Sequence, residues 1–267
     1  MMTELIMEKK DKKILLSFDV EEFDLPLEYG IKMEAHEQMR TGKMGLDAIR
    51  GILDDLQIQC TLFTTANFAL NFPSVIKALS ARHEIASHGF FHSSFTKEDL
   101  LHSRLTLENI VSKQVSGFRM PRMIQMEDHL IREAGYRYDS SLNPTWIPGR
   151  YNHLSRPRRY FEENGMAKIP ASVSANLRIP LFWLAFKNLP YFYYKMMALQ
   201  SLKKDGYLCL YFHPWEFTGL QSFKIPGMIK RKSGHELVEK LSRLISDLKN
   251  EGEFLTINSF LDANHKK

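Results

Sequence analysis

Short apolar runs recur along this chain and alternate with segments of helical period. Ile14 to Phe18, Gln59 to Thr64, Glu84 to Ser87, Gly117 to Arg119, Tyr138 to Ser140, Lys168 to Ala171, Tyr207 to Phe212 and Phe254 to Thr256 are read as strands, most being rich in β-branched, aromatic or leucine side chains. Helical periodicity marks Met44 to Leu56, Phe72 to Ser80, Lys97 to Val111, Glu127 to Ala134 and Gly234 to Asn250, the last strongly amphipathic. Strands alternating with helices predict repeated βα units and a mainly parallel sheet. Seven or eight units in a chain of this length predict a distorted or incomplete (β/α) barrel, with an open doubly wound sheet as the alternative. In both architectures the chemistry gathers at the C-terminal ends of the strands.

Two stretches break the rhythm. Trp146 to Arg159, with Pro148, Gly149 and Pro157, reads as a long irregular loop of the sort that borders sites. Ile179 to Leu202 is the most apolar region, yet Lys187, Asn188, Pro190 and Lys195 interrupt it, and a spanning helix needs roughly 20 continuous apolar residues. It is expected to be a packed helix pair or a cover over substrate, with peripheral membrane contact as the alternative. Met1 to Lys13 is short and charged, without the apolar core or cleavage pattern of a secretory signal, which points to the cytoplasm.

Composition narrows the picture modestly. The chain's 267 residues, 44% hydrophobic and 25% charged, suit one catalytic domain over residues 1–267 better than two small ones. The net charge of +5 is spread among alternating signs, so no nucleic-acid partner is expected, and a homo-oligomer stays open. Cys60 and Cys209 lie inside apolar runs and are read as buried strand thiols.

The polar residues at the strand ends carry the chemistry. The first run ends in Ser17-Phe18-Asp19-Val20-Glu21-Glu22-Phe23-Asp24, with four acids in six residues. The third ends in Ser87-His88-Gly89-Phe90-Phe91-His92, two imidazoles four apart, a spacing that can present both rings to one divalent ion when carboxylates join them. Taken singly, such an acid cluster is as readily a solvated turn, and each histidine more often an ordinary polar one. Their convergence on one predicted rim favours a site. Phe118-Arg119-Met120-Pro121-Arg122, Tyr138-Asp139-Ser140-Ser141 and Tyr211-Phe212-His213-Pro214-Trp215-Glu216 end later strands at the same rim.

These motifs, in this order, resemble the polysaccharide deacetylase family of carbohydrate esterases, the NodB-homology proteins, over nearly the whole chain. Many members carry adjacent aspartates in the first motif; Asp19-Val20-Glu21, Asp139-Ser140-Ser141 and His213-Pro214-Trp215-Glu216 look like a subgroup. The resemblance implies that Asp19 is the catalytic base, that Glu21, His88 and His92 hold a metal with Glu22 as the fallback ligand, that Arg119 orients the base and that His213 is the acid, supported by Asp139 or Glu216. Zinc is the expected ion, with cobalt, manganese or nickel as alternatives. Arg122, Tyr138, Asp139, Trp215 and Glu216 are expected to contact substrate, and Trp146, Tyr138 and Trp215 are candidate sugar-stacking surfaces. The implied reaction removes an N-acetyl or formyl group from an amino sugar in a polysaccharide or lipid-linked precursor. Two other readings are a non-catalytic glycan- or lipid-binding descendant of the fold and a hydrolase of a small non-sugar amide such as a ureide.

Overall fold

A computed structural model describes residues 11–265. Its main sheet contains β1 (Lys13–Val20), β2 (Thr61–Thr64), β3 (Glu84–Ser87), β4 (Gly117–Phe118) and β5 (Tyr138–Asp139), all parallel and paired in sequence order. A small hairpin, β6 (Trp146–Ile147) and β7 (Tyr151–Asn152), stands apart. The sheet then continues with β8 (Phe161–Glu163) and β9 (Met166–Lys168), an antiparallel pair whose second strand joins β5 in parallel. β10 (Tyr207–Phe212) runs parallel to the other side of β1, and β11 (Glu253–Phe254) pairs with the first residues of β1.

The path β10-β1-β2-β3-β4-β5-β9-β8 has no ladder joining its two ends. One residue bridges the gap. After β9, Ile169 N–H still bonds Asp139 O at 2.9 Å, and then Ser172 N–H donates to Cys209 O while Cys209 N–H donates to Ser172 Oγ, both at 2.8 Å. The expected incomplete barrel is therefore a curled sheet stitched shut through Ser172.

Side-chain alternation divides the barrel into inside and outside. Ile14, Leu16, Phe18 and Val20 of β1 join Leu62, Ile85, Phe118, Leu208, Leu210 and Phe212 in the large core under the surrounding helices. Leu15 takes the opposite parity and packs with Phe63, Ala86, Tyr138, Ile169, Tyr207 and Cys209 inside the barrel. Ile257, Phe260 and Leu261 of the helix Ile257–His265 stopper its lower end. Ser17 and Asp19 share Leu15's parity, so the inward row of β1 turns polar at the C-terminal end.

Several boundaries differ from the sequence reading. The helix expected from Met44 begins at Ala35 and runs to Asp55, its Gly42 and Gly45 serving as points of close approach to Glu21 and Pro214. Phe72 to Ser80 is the helix Pro73–Leu79, opened by Pro73, and a short helix not expected from the sequence, Ala66–Asn71, precedes it. The strand expected from Lys168 begins at Met166, and the irregular loop after Trp146 contains the β6–β7 hairpin. Ile179 to Leu202 is the anticipated helix pair, Trp183–Asn188 and Tyr191–Asp205, parted at Pro190. No described helix is long and apolar enough to cross a membrane. Most of the charged N-terminal segment, residues 1–10, lies outside the described residues.

Candidate metal centre and catalytic cleft

Asp19 and Glu21 occupy alternate positions at the end of β1, and both point into the barrel mouth, 3% and 2% exposed. His88 follows β3, and Gly89 at φ +77° turns the chain so that His92 folds back over it, the two rings stacking at 5.8 Å. Glu22 points away from the mouth and pins this turn. Its Oε1 accepts from His92 N–H at 3.1 Å, and its Oε2 accepts from Thr65 Oγ1 at 2.7 Å.

Glu21, His88 and His92 each offer a ligand atom within 4.8 Å of the others. Glu21 Oε2 lies 3.1 Å from His88 Nε2 and 3.4 Å from His92 Nε2. The outer ring nitrogens are occupied. His88 Nδ1 donates to Arg119 O at 2.8 Å, and His92 Nδ1 donates to Asp24 Oδ1 at 2.7 Å. In the neutral rings those two bonds leave both Nε2 atoms to present lone pairs inward, the arrangement that outer partners impose on metal-binding histidines. Glu21 Oε1 accepts the Trp215 indole N–H at 2.9 Å, while the buried Oε2 has no hydrogen-bond partner. A buried carboxylate oxygen facing two lone pairs is poorly served by protein alone and well served by a cation, so the donor set fits one.

The local electrostatics agree. Burial opposes charge on Glu21, but His92, His88 and His213 outweigh it and hold the carboxyl down at about 2. Burial also opposes charge on His92, and Glu21 and Asp24 raise that imidazole to about 9. The cluster is built around a shared positive charge.

Arg119, fully buried, comes up from the end of β4. Its Nη1 donates to Asp19 Oδ1 at 2.6 Å and Ser17 Oγ at 3.0 Å, and Nε and Nη2 bond Ser140. Its guanidinium also stacks 3.9 Å over the Phe63 ring. The other oxygen of Asp19 faces the site, 4.0 Å from His88 Nε2 and 3.8 Å from His213 Nε2. His213 is clamped by Trp215, stacked at 4.9 Å, and by Trp183, edge-on at 5.3 Å. Glu216 Oε1 accepts from His213 N–H at 2.9 Å and stands 3.3 Å from Nδ1. Burial opposes charge on His213, and the Glu216 hydrogen bond, with Glu21 and Asp19, raises its pKa above the ordinary value.

A cleft of about 230 Å³ opens over these groups, walled by Leu25, Phe182, Trp183, Leu184, Met228 and Ile229 on its apolar side. The helix Ala35–Asp55 supports it from outside. A Cβ at Gly42 would lie 2.3 Å from Glu21 O, and one at Gly45 would lie 2.0 Å from Pro214 O. Only glycine lets the helix backbone press against both site loops.

The sequence-predicted residues separate into three groups. Asp19, Glu21, His88, His92, Arg122, His213 and Trp215 line the cleft, and Arg119 lies just beneath. Glu216 lies behind His213, fully buried, where it bonds that histidine and does not line the cleft. Tyr138 and Asp139 are corrected: strand parity carries Tyr138 into the barrel interior, donating to Glu84 Oε1 at 2.9 Å, and Asp139 outward to a buried ion pair with Lys168 at 2.8 Å. Trp146 is 58% exposed and does not line the cleft. Sequence reasoning missed Trp183, Lys187 and Arg150, which come from the segments read as cover and loop. Asp24 was in the acid cluster, but its bond to His92 needed the three-dimensional turn.

The polysaccharide deacetylase family model matches residues 7–138, taking in the acid, histidine and arginine motifs. Over those residues, just under half of the chain, it matches the polysaccharide deacetylase family, which supports a hydrolase acting on amide bonds. A Pseudomonas aeruginosa PAO1 structure assigned to polysaccharide deacetylases is similar at TM-score 0.68 and 16% identity, covering 96% of this chain and 92% of that one. A Mycobacterium smegmatis structure with the same assignment gives TM-score 0.63 at 19% identity, covering 96% and 90%. Puue allantoinase gives 0.62 at 18%, covering 94% and 89%. No curated protein matches the sequence.

Proposed function

We propose that this protein is a metal-dependent amidohydrolase that removes an N-acetyl or N-formyl group from an amino sugar of a polysaccharide or lipid-linked precursor. One observation carries the reading: a Glu21–His88–His92 cluster with an orphaned carboxylate oxygen lies between a buried Asp19–Arg119 pair and a Glu216-supported histidine, all facing one cleft. Glu21, His88 and His92 would hold the ion, and two imidazoles with one carboxylate favour zinc, with cobalt, manganese or nickel as alternatives. Such an ion supplies Lewis-acid polarisation of the amide carbonyl and a water acidified to about pKa 7.

The protein groups divide the proton work. Asp19, fixed through Oδ1 by Arg119, keeps Oδ2 free toward the cleft to take a proton from the attacking water. His213 faces the same space from the neighbouring strand and gives its Nε2 proton to the departing amine, with Glu216 supporting the imidazolium through Nδ1. Trp183 and Trp215 hold the His213 ring in place.

The test is zinc-supplemented acetate and formate release from amino-sugar oligomers and lipid-linked amino sugars, with allantoin as the small-amide comparator. His88→Ala and His92→Ala should abolish metal retention and release together. Asp19→Asn should abolish release with metal retained. Full release by metal-free protein would refute the reading, and turnover of allantoin alone would replace the substrate class.

A further inference from the structure

Arg122 and Arg150 line the cleft, and both also line a neighbouring cavity of about 460 Å³. Gln125, Tyr151 and His153 complete its polar lining, and Glu28 is its one carboxylate. Arg122 Nε stands 2.8 Å from Glu28 Oε1 and Arg150 Nη2 stands 3.8 Å from Glu28 Oε2. Two guanidiniums thus share one acid. Among the described residues, Arg122 Nη1 and Nη2 and the whole Arg150 head make no hydrogen bond to a protein acceptor, Nη2 of Arg122 lying 4.0 Å from Asp24. Arg119, Arg156, Arg158 and Arg178, in contrast, all spend donors on the protein.

The backbone reinforces the point. Arg122 and Met123 both adopt left-handed conformations, φ +59° and +56°, a costly pairing for residues with side chains that directs Arg122 over the cleft. Arg150 follows Gly149, φ +77°, at the tip of the β6–β7 hairpin. The Asp24 carboxylate that orients His92 lies between the metal cluster and Arg122, so an anion bound by the pair would sit beside the cluster in the same cleft.

Building on the deacylase reading, we propose that Arg122 and Arg150 form an oxyanion subsite and that the substrate is an acidic amino-sugar compound whose carboxylate or phosphate docks there. Planar guanidiniums with unspent, paired N–H groups match either oxyanion.

The test measures binding to the full chain carrying Asp19→Asn, so that it stands apart from turnover. Calorimetry compares a tetrasaccharide alternating N-acetylglucosamine and glucuronate with neutral chitotetraose, and N-acetylglucosamine 1-phosphate with N-acetylglucosamine. At least one anionic ligand should bind roughly ten-fold tighter than its neutral counterpart, with the advantage shrinking as salt rises. Preference in the first pair identifies a uronate, and in the second a phosphate. Arg150→Glu, at an exposed hairpin tip, should erase the preference while the melting temperature holds. Equal binding in both pairs, or a preference that survives Arg150→Glu, overturns the proposal. An absence of both acetate and formate release from every substrate would instead overturn the deacylase reading and leave this comparison intact.

Discussion

Arg119 and Asp19 come from strands distant in sequence and meet at 2.6 Å inside the barrel mouth, both buried. The pair fixes one carboxylate oxygen and leaves the other facing the cleft. Removing one partner of a buried pair strands the other charge, so Arg119→Met should cost about 3–5 kcal/mol of stability in urea unfolding. Combining it with Asp19→Asn should recover part of that loss, a non-additivity expected of direct contact. All three variants should fall to about 1% of wild-type acetate release or lower, since positioned acid–base groups contribute roughly 10²–10⁴-fold.

Asp24 touches the cluster only through His92 Nδ1. Asp24→Asn should weaken zinc binding by about 10–100-fold, measured by chelator competition, whereas His88→Ala should leave almost no bound metal. Unchanged affinity in Asp24→Asn would mean that His92 needs no outer partner.

Glu216 supports the protonated form of His213, which burial alone would disfavour. A catalytic acid loses its proton as pH rises through its pKa. Glu216→Gln removes a raising influence, so the alkaline limb of the kcat/KM profile should move to lower pH. Behind Glu216 lies Lys187, fully buried, its Nζ 3.3 Å from Glu216 Oε2 and 2.7 Å from Ile229 O. Lys187→Met leaves that carboxylate uncompensated and should cost about 3–5 kcal/mol in thermal or urea unfolding.

Tyr138 gives the opposite pattern. Its hydroxyl serves Glu84 inside the barrel, away from the cleft. Tyr138→Phe should cost about 1–3 kcal/mol of stability through the unmatched carboxyl, with KM and kcat unaffected.

Much of this was legible in the sequence because parallel strands buried on both faces read as apolar runs, and because functional groups cluster where those runs stop. The parity of Asp19 and Glu21 with Leu15 places both acids inside, so the Asp-Val-Glu spacing is what an inward-facing pair requires. Parity also explains the errors. Tyr138 and Asp139 adjoin the rim in sequence, but one points down the barrel and the other out of it. Trp183, Lys187 and Arg150 were not legible, since their segments reach the site by tertiary packing that no local period encodes. The early start of the helix Ala35–Asp55 was hidden for a related reason: Gly42 and Gly45 weaken helix propensity locally and are retained by contacts with Glu21 and Pro214.

The helix Ile257–His265 stoppers the barrel below while the reacting groups line its mouth above. Substrate, water and the released acid must therefore use one doorway. On the proposed reading, a small carboxylic acid formed at the floor of the cleft would lie beneath the glycan that produced it, so traffic past Trp183, Arg122 and Arg150 would set the order of departure and couple turnover to how loosely the long product is held.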